Sequence, residues 1–442
     1  MKREKLFPGP SSPWWWQAVS LIKNSYGLLG KCIQKYGAPF SMRINSKTQF
    51  VFFNTPEAAR DLFTANYKDV FAGPISEPLR PVLGGKSLLL LDDDEHLAMR
   101  RFMTPPFTGN AMRNYGEIIR DISVKNTRKW GKGTEVTMQH VMQTISMEVI
   151  LHAVFDLHEG ERFERYKRIL LEYLSIFNGK NAIFLYIPKL RKRFLAPWAK
   201  YLRTVKLVDE LIYEEINLRK QSSQQNDILS RLLAIRDEDG NALSDLELRD
   251  QLVTLLLAGH ETTAASMTWC LYWIHHTPEV LPQLCDELRG HTSIEDIAKL
   301  PFLDAVCRET LRLYPIVPAV GRLLQRPVSV AGHELPEGTA AILSIYLTHR
   351  NPDVYPNPEV FYPQRFLERK YDAYEFVPFG GGARRCLGMH FALYEMKIVI
   401  AHLLQNYQLE LCSDKPVSAV RRGVTFFPKG GIPMVVRERR ED

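Results

Sequence analysis

The chain predicts a mostly α-helical fold with a small β region, carried by a single domain over residues 1–442. Three observations lead there. Residues 110–220 carry apolar side chains at helical period with few strand signals. From Ser244 to about His276 the period continues unbroken, enough for a helix roughly 50 Å long at about 1.5 Å per residue. Strand-like alternation is confined to short runs, and no linker separates two cores, although length alone would allow about three domains.

Composition bounds the class. With 45% hydrophobic and 24% charged residues the chain reads as a soluble globular protein. A net charge of +7 suits a basic patch for an acidic redox protein, and no nucleic-acid motif appears. The six cysteines (32, 270, 285, 307, 386 and 412) show no C-x-x-C spacing, which argues against a cysteine zinc site or disulfide framework and for a reducing compartment. Residues 1–16 form a Pro/Trp-rich lead-in without a signal peptide or a membrane anchor, so a cytoplasmic location is expected. Trp14, Trp15 and Trp16 suit either packing on the domain or weak contact with a membrane surface.

In order, residues 17–36 read as one helix closed by Gly37 and Pro39, and 40–55 as a hairpin. Pro56 opens a short helix, and 71–90 is loop-like and apolar. His96 and Arg100, at i and i+4, share a helix face. Segment 175–194 joins apolar residues to Lys189, Arg191, Lys192 and Arg193, which suits a solvated basic face or anionic lipid; the polar run 220–226 reads as an exposed loop. Ser244 with Glu247 makes a capping box for the long helix. Its middle, Ala258-Gly259-His260-Glu261-Thr262-Thr263, places an acid and hydroxyls in an apolar helix, where Ser/Thr back-bonding opens it locally. Two strand-like runs flank Gly332.

The stretch Phe376–Lys397 organises the rest. Gly380, Gly381 and Gly382 let the chain double back close to something flat, and the apolar run after Cys386 suits a helix that Gly388 allows to approach closely. A cysteine at a helix start is favoured as thiolate, which suits a metal ligand.

Phe379-x-x-Gly382-x-Arg384-x-Cys386-x-Gly388 resembles the haem-ligand signature of the cytochrome P-450 family, and the resemblance runs from end to end. It implies a triangular helical prism with the long central helix over haem b, Cys386 as axial ligand of the iron, and Phe379 and Gly388 in the cofactor loop. His96, Arg100, Arg322 and Arg384 would hold the propionates. Ala258–Thr263 resembles the oxygen-activation motif, with Thr262 and Glu261 catalytic and His260 structural or partner-facing. Glu309, Arg312 and Arg365 resemble the ionic cluster that braces the cysteine loop. By position in the family, Ala258, Val317, Val320 and Phe426, with parts of 71–90 and 175–187, would line the substrate cavity, and 175–194 would be its lid.

The activity so implied is O2-dependent hydroxylation or epoxidation of a lipophilic small molecule by a monomeric enzyme. Electrons would come from a separate ferredoxin or flavodoxin and its reductase, docking near Arg101, Arg385 and Lys397. The wording around Cys386 looks most like bacterial, in particular cyanobacterial, enzymes acting on fatty acids, alkanes or sesquiterpenes. Rival readings are a peroxide-driven peroxygenase or thiolate-haem isomerase, which usually lacks the Glu261–Thr262 pair, and a haem sensor or carrier without turnover.

Overall fold

The computed structural model describes residues 5–107, 111–176, 181, 183–186, 191–192, 196–221, 227–422 and 425–440. The long helix Asp245–His276 spans 32 residues, and its predicted capping box is formed: the Glu247 N–H donates to Ser244 Oγ at 3.3 Å and the Ser244 N–H to the Glu247 carboxylate at 3.0 Å. It is apolar nearly all round because helices Met138–Phe155, Ala196–Gln221, Pro301–Leu313 and Met389–Asn406 all pack against it. Gly259 sits against Met138–Phe155, where a β-carbon would stand 3.0 Å from Ile150 Cδ1. The helix is continuous through the motif, where the expected back-bonding is present: Thr262 and Thr263 each donate to the carbonyl four residues earlier.

The main sheet orders its strands Phe40–Met42, Gln49–Phe53, Thr339–Leu343, Val320–Leu324 and Val70–Phe71. The first pair is the predicted hairpin, with Phe40 opposite Phe52 and their rings stacked. The central strand Thr339–Leu343 is buried throughout, as a strand covered on both faces must be. The runs flanking Gly332 pair as a separate hairpin, Val328–Val330 with His333–Leu335. Its turn, Ala331-Gly332, has positive φ at both residues, as a tight two-residue hairpin requires.

The N-terminal region departs from expectation. Residues 17–36 are not one helix but parts of two, Trp14–Lys23 and Ser25–Tyr36, because Asn24 accepts the Gly27 N–H at 2.9 Å and caps the second. Trp14, Trp15 and Trp16 are between 44% and 55% exposed, so they lie on the surface. Segment 71–90 is a chain of short helical turns, Gly73–Ser76, Glu77–Leu79 and Arg80–Leu83. In the 175–194 segment, Lys189 and Arg193 lie outside the described residues, whereas Arg191 turns inward and donates to the Phe184 and Leu185 carbonyls at 2.8 Å. Residues 222–226 of the polar run also lie outside them. Among the described residues no helix is long and apolar enough to cross a membrane.

Candidate active site

Gly380 and Gly382 adopt positive φ, so the loop before Cys386 takes a path that β-carbons resist. A β-carbon on Gly381 would strike the Phe63 ring, and one on Gly382 the Phe63 carbonyl. The loop closes where the Cys386 N–H donates to the Phe379 carbonyl at 3.0 Å. Phe379 itself packs against the main core. Helix Met389–Asn406 starts just beyond, with Gly388 as its N-cap residue. Cys386 retains accessible surface, yet burial among protein atoms raises its thiol pKa. Its free surface therefore opens into the interior. The Gly388 N–H, Arg100 and Arg385 pull the other way, favouring the thiolate. Gly388 corrects one expectation: no protein atom lies within 4 Å of where its β-carbon would be, so it leaves open space instead of allowing close helix packing.

Around the loop gather three arginines and a histidine. His96 and Arg100 lie on helix Asp93–Met103, Arg322 on the sheet, and Arg384 in the loop itself. Arg384 donates to Asp92 and to the Leu88 and Leu91 carbonyls, and Arg100 to the Arg385 carbonyl at 2.7 Å. Buried Arg322 donates to the Gly321 carbonyl at 2.9 Å. Desolvation first, then repulsion by Arg384 on Arg322 and by Arg100 on Arg384, pulls both down to about 10. Burial, then Arg384, Arg100 and Arg322, push His96 down to about 3, and its Nε2 is buried without a partner among the described residues. Asp92 offsets part of this charge, but it is already bonded to Arg384 and the Ala72 and Gly73 N–H groups. Such a surplus of buried donors fits a ligand bearing two carboxylates.

On the long helix, Leu255, Leu257, Ala258, Gly259 and Thr262 keep accessible surface within a mid-section that is otherwise buried from Leu248 to Tyr272, and Leu255, Ala258 and Thr262 share one face. Thr262 Oγ1 donates to the Ala258 carbonyl at 2.5 Å, and Thr263 to the Gly259 carbonyl at 2.9 Å. Glu261 is buried. His260 is buried too, held neutral by desolvation that lowers it to about 4, so it is structural as expected. The pocket residues divide: Ala258 is exposed, Val317 38% exposed and Val320 half-buried, whereas Phe426 is buried with its ring stacked on Tyr26. Phe426 is thus a core residue and not a wall of the site.

Behind the loop, Glu309, Arg312 and Arg365 meet out of water. Arg312 binds both Glu309 oxygens at 2.7 and 2.9 Å, and Arg365 Nε donates to Oε1 at 3.1 Å. Sequence reasoning missed His349, which carries this brace to the cysteine loop. The Val377 N–H donates to its Nε2 at 2.9 Å, so Nδ1 bears the proton and donates to the Arg312 carbonyl at 3.2 Å. Burial and the Arg312 charge keep His349 neutral.

The cytochrome P-450 family profile matches residues 7–432. The chain belongs to the cytochrome P-450 family. It is 33% identical to the Mycobacterium tuberculosis protein designated cytochrome P-450 135B1, covering 98% of this chain and 92% of that one. A second mycobacterial relative, designated 135A1, is 32% identical over 98% of this chain and 96% of its own. Among solved structures, retinoic acid-bound cyanobacterial CYP120A1 superposes with a TM-score of 0.86 at 26% identity, covering 98% of this chain and 99% of that one. The cytochrome P-450DA haem domain shares the fold, with a TM-score of 0.85 at 22% identity over 98% of both chains.

This cytochrome P-450 is therefore a haem monooxygenase with haem b as cofactor, using O2, an organic substrate and an electron-transfer partner. Its residues suit that group: a thiol facing open space, and Arg100, Arg322 and Arg384 with the unpartnered His96 Nε2 as donors for two propionates. Asp92 was missed, although the Asp92-Asp93-Asp94 run hinted at it; so was Glu395, an acid in the apolar run of the cysteine helix. Lys397 does not fit a docking face, because it pairs with Asp304 at 2.6 Å and donates to the Ala298 carbonyl at 2.9 Å.

Glu395 gives a pH prediction. Burial raises its carboxyl to about 8, against an ordinary value of 4.5, so the folded protein holds a proton that the unfolded chain releases. This contribution to stability is full below about pH 4.5 and is lost as pH rises through 8. Glu395→Gln should flatten that decline by a few kcal/mol in urea unfolding between pH 5 and 8. Equal slopes for the two proteins would contradict the assignment.

Proposed function

We propose that this cytochrome P-450 hydroxylates or epoxidises a lipophilic molecule of fatty-acid or isoprenoid type, as a single-domain cytoplasmic monomer fed by a ferredoxin or flavodoxin and its reductase. The observation that carries this reading is the accessible face of the long helix at the motif, where Leu255 and Ala258 are apolar and Thr262 supplies one hydroxyl. The CYP120A1 structure, with retinoic acid bound, supports an apolar chain as the ligand type. Haem b, held by Cys386, supplies oxygen activation and atom transfer.

The other roles belong to side chains. Arg100, Arg322, Arg384 and His96 hold the cofactor carboxylates, while Phe379 and Gly388 shape the loop around Cys386. Because Thr262 gives its own proton to the Ala258 carbonyl, its oxygen is left to act as an acceptor. It can hold a water or a protonated group there, and the buried Glu261 carboxyl is the acid that replenishes the proton. Ala258 and Val320 limit substrate approach. Exposed Arg385 is the cation offered to the redox partner, with Arg101 beside it, whose solvent-exposed pair with Glu238 at 3.1 Å a partner carboxylate would have to replace.

Fatty acids, retinoids and sesquiterpenes should shift the haem from low to high spin and yield products heavier by one oxygen with a ferredoxin system. The proposal would fall if small polar ligands alone gave both signals. Thr262→Ala should cut product formed per reduced nicotinamide consumed by at least about tenfold, less than the roughly 10²–10⁴-fold in rate that a positioned proton-transfer group contributes, because the threonine holds the proton path without being its acid. An unchanged ratio would remove Thr262 from the proton path.

A further inference from the structure

A second cluster lies outside the haem site. His152 stands in the last turn of helix Met138–Phe155, and Asp156 and His158 follow in the turn that leads to helix Glu161–Ser175. Asp156 Oδ1 lies 3.5 Å from His152 Nδ1 and 3.4 Å from His158 Nε2. Ligand atoms of all three residues lie within 4.8 Å of one another, and the imidazole centroids are 4.5 Å apart.

These separations are informative. An N–H···O bond spans about 2.7–3.2 Å, so neither imidazole is properly hydrogen-bonded to the carboxylate it faces. In a tetrahedral site with metal–nitrogen and metal–oxygen distances of about 2.0–2.1 Å, neighbouring ligand atoms lie roughly 3.3–3.4 Å apart. The contact from His158 has that length at 3.4 Å, and the one from His152, at 3.5 Å, lies just above it. No lysine or arginine competes for Asp156 among the described residues, since the nearby Arg219 is engaged with Asp227 at 2.9 Å and with the Phe155 carbonyl. His158 is 68% exposed at its side chain, which leaves a fourth position open to water.

We propose that His152, Asp156 and His158 bind a divalent transition metal, with Zn2+ as its occupant. Two imidazoles and a carboxylate are zinc-type ligands, whereas calcium and magnesium take oxygen shells. The metal would staple the end of a helix that packs along the long helix to the turn that follows it.

The test uses tag-free, haem-loaded, full-length protein, dialysed to equilibrium against Zn2+ in a non-chelating buffer, with metal measured by mass spectrometry. The expected result is a one-equivalent site with Kd below about 100 µM, weakened at least about tenfold by His158→Ala and by Asp156→Asn. Zinc should raise the Tm of the parent protein but not of the variants. Both substitutions lie away from the haem, so the reduced carbon monoxide spectrum reports whether each variant is folded. The assignment is overturned by no saturable site below that concentration, by a site that survives both substitutions, or by displacement of the zinc by equimolar calcium.

Discussion

Cys386→Ser is expected to abolish the red-shifted thiolate band of the reduced carbon monoxide complex and to reduce monooxygenase turnover to background. Burial raises the Cys386 thiol, but the Gly388 N–H, Arg100 and Arg385 favour its anion, and a coordinated metal ion deprotonates a thiol outright. A serine hydroxyl is a far weaker acid with a harder oxygen, so the same three groups cannot make it an equivalent anionic donor. The electron push that favours O–O cleavage comes from sulfur and is lost with it. The loop should survive, because its shape rests on Gly380, Gly382 and the Cys386 N–H to Phe379 carbonyl bond, none of which uses the sulfur. Haem should therefore still load, held by the arginines. If the variant kept the thiolate band or measurable oxygen insertion, Cys386 would not be the ligand.

The parts of this enzyme that could be read in advance are those with local causes. The capping box of Ser244 and Glu247, the hairpin at Ala331-Gly332 and the glycines before Cys386 each act within a few residues. Local competition also explains two misreadings. Asn24 lies inside an apolar period that continues past it, so the pattern hides the cap that divides the helix. Pro74, Pro78 and Pro81 look like loop signals, yet each occupies the first turn of its own short helix, where a missing N–H costs nothing. What could not be read depends on residues distant in sequence. Asp92 gains its meaning from Arg384, Glu395 from burial beside Ser146, and Lys397 from Asp304. His349 is the extreme case, because its role depends on the Arg312 carbonyl on one side and the Val377 N–H on the other. Phe426 shows the reverse error, since family position suggested a cavity wall where Tyr26 in fact covers the ring.

The largest stability effect should come from the brace. Glu309→Ala would leave the Arg312 and Arg365 guanidiniums buried beside each other without their shared carboxylate, and breaking a buried pair in this way costs about 3–5 kcal/mol. Arg312→Lys, which keeps the charge, should also fail by more than about 2 kcal/mol. Arg312 binds both Glu309 oxygens and also donates to the His349, Pro358 and Val360 carbonyls, a fan of bonds that three ammonium protons on a flexible stem cannot reproduce. The carbonyls left behind are part of the same network that positions His349 and, through it, Val377 just ahead of the cysteine loop. Chemical unfolding of the haem-loaded variants measures the loss, and the fraction of protein showing the thiolate band measures its transmission to Cys386. A brace that merely stabilises would lower the unfolding midpoint and leave that fraction intact below the transition. A brace that positions the loop should lower both together, and a loss under about 1 kcal/mol for Glu309→Ala would contradict either role.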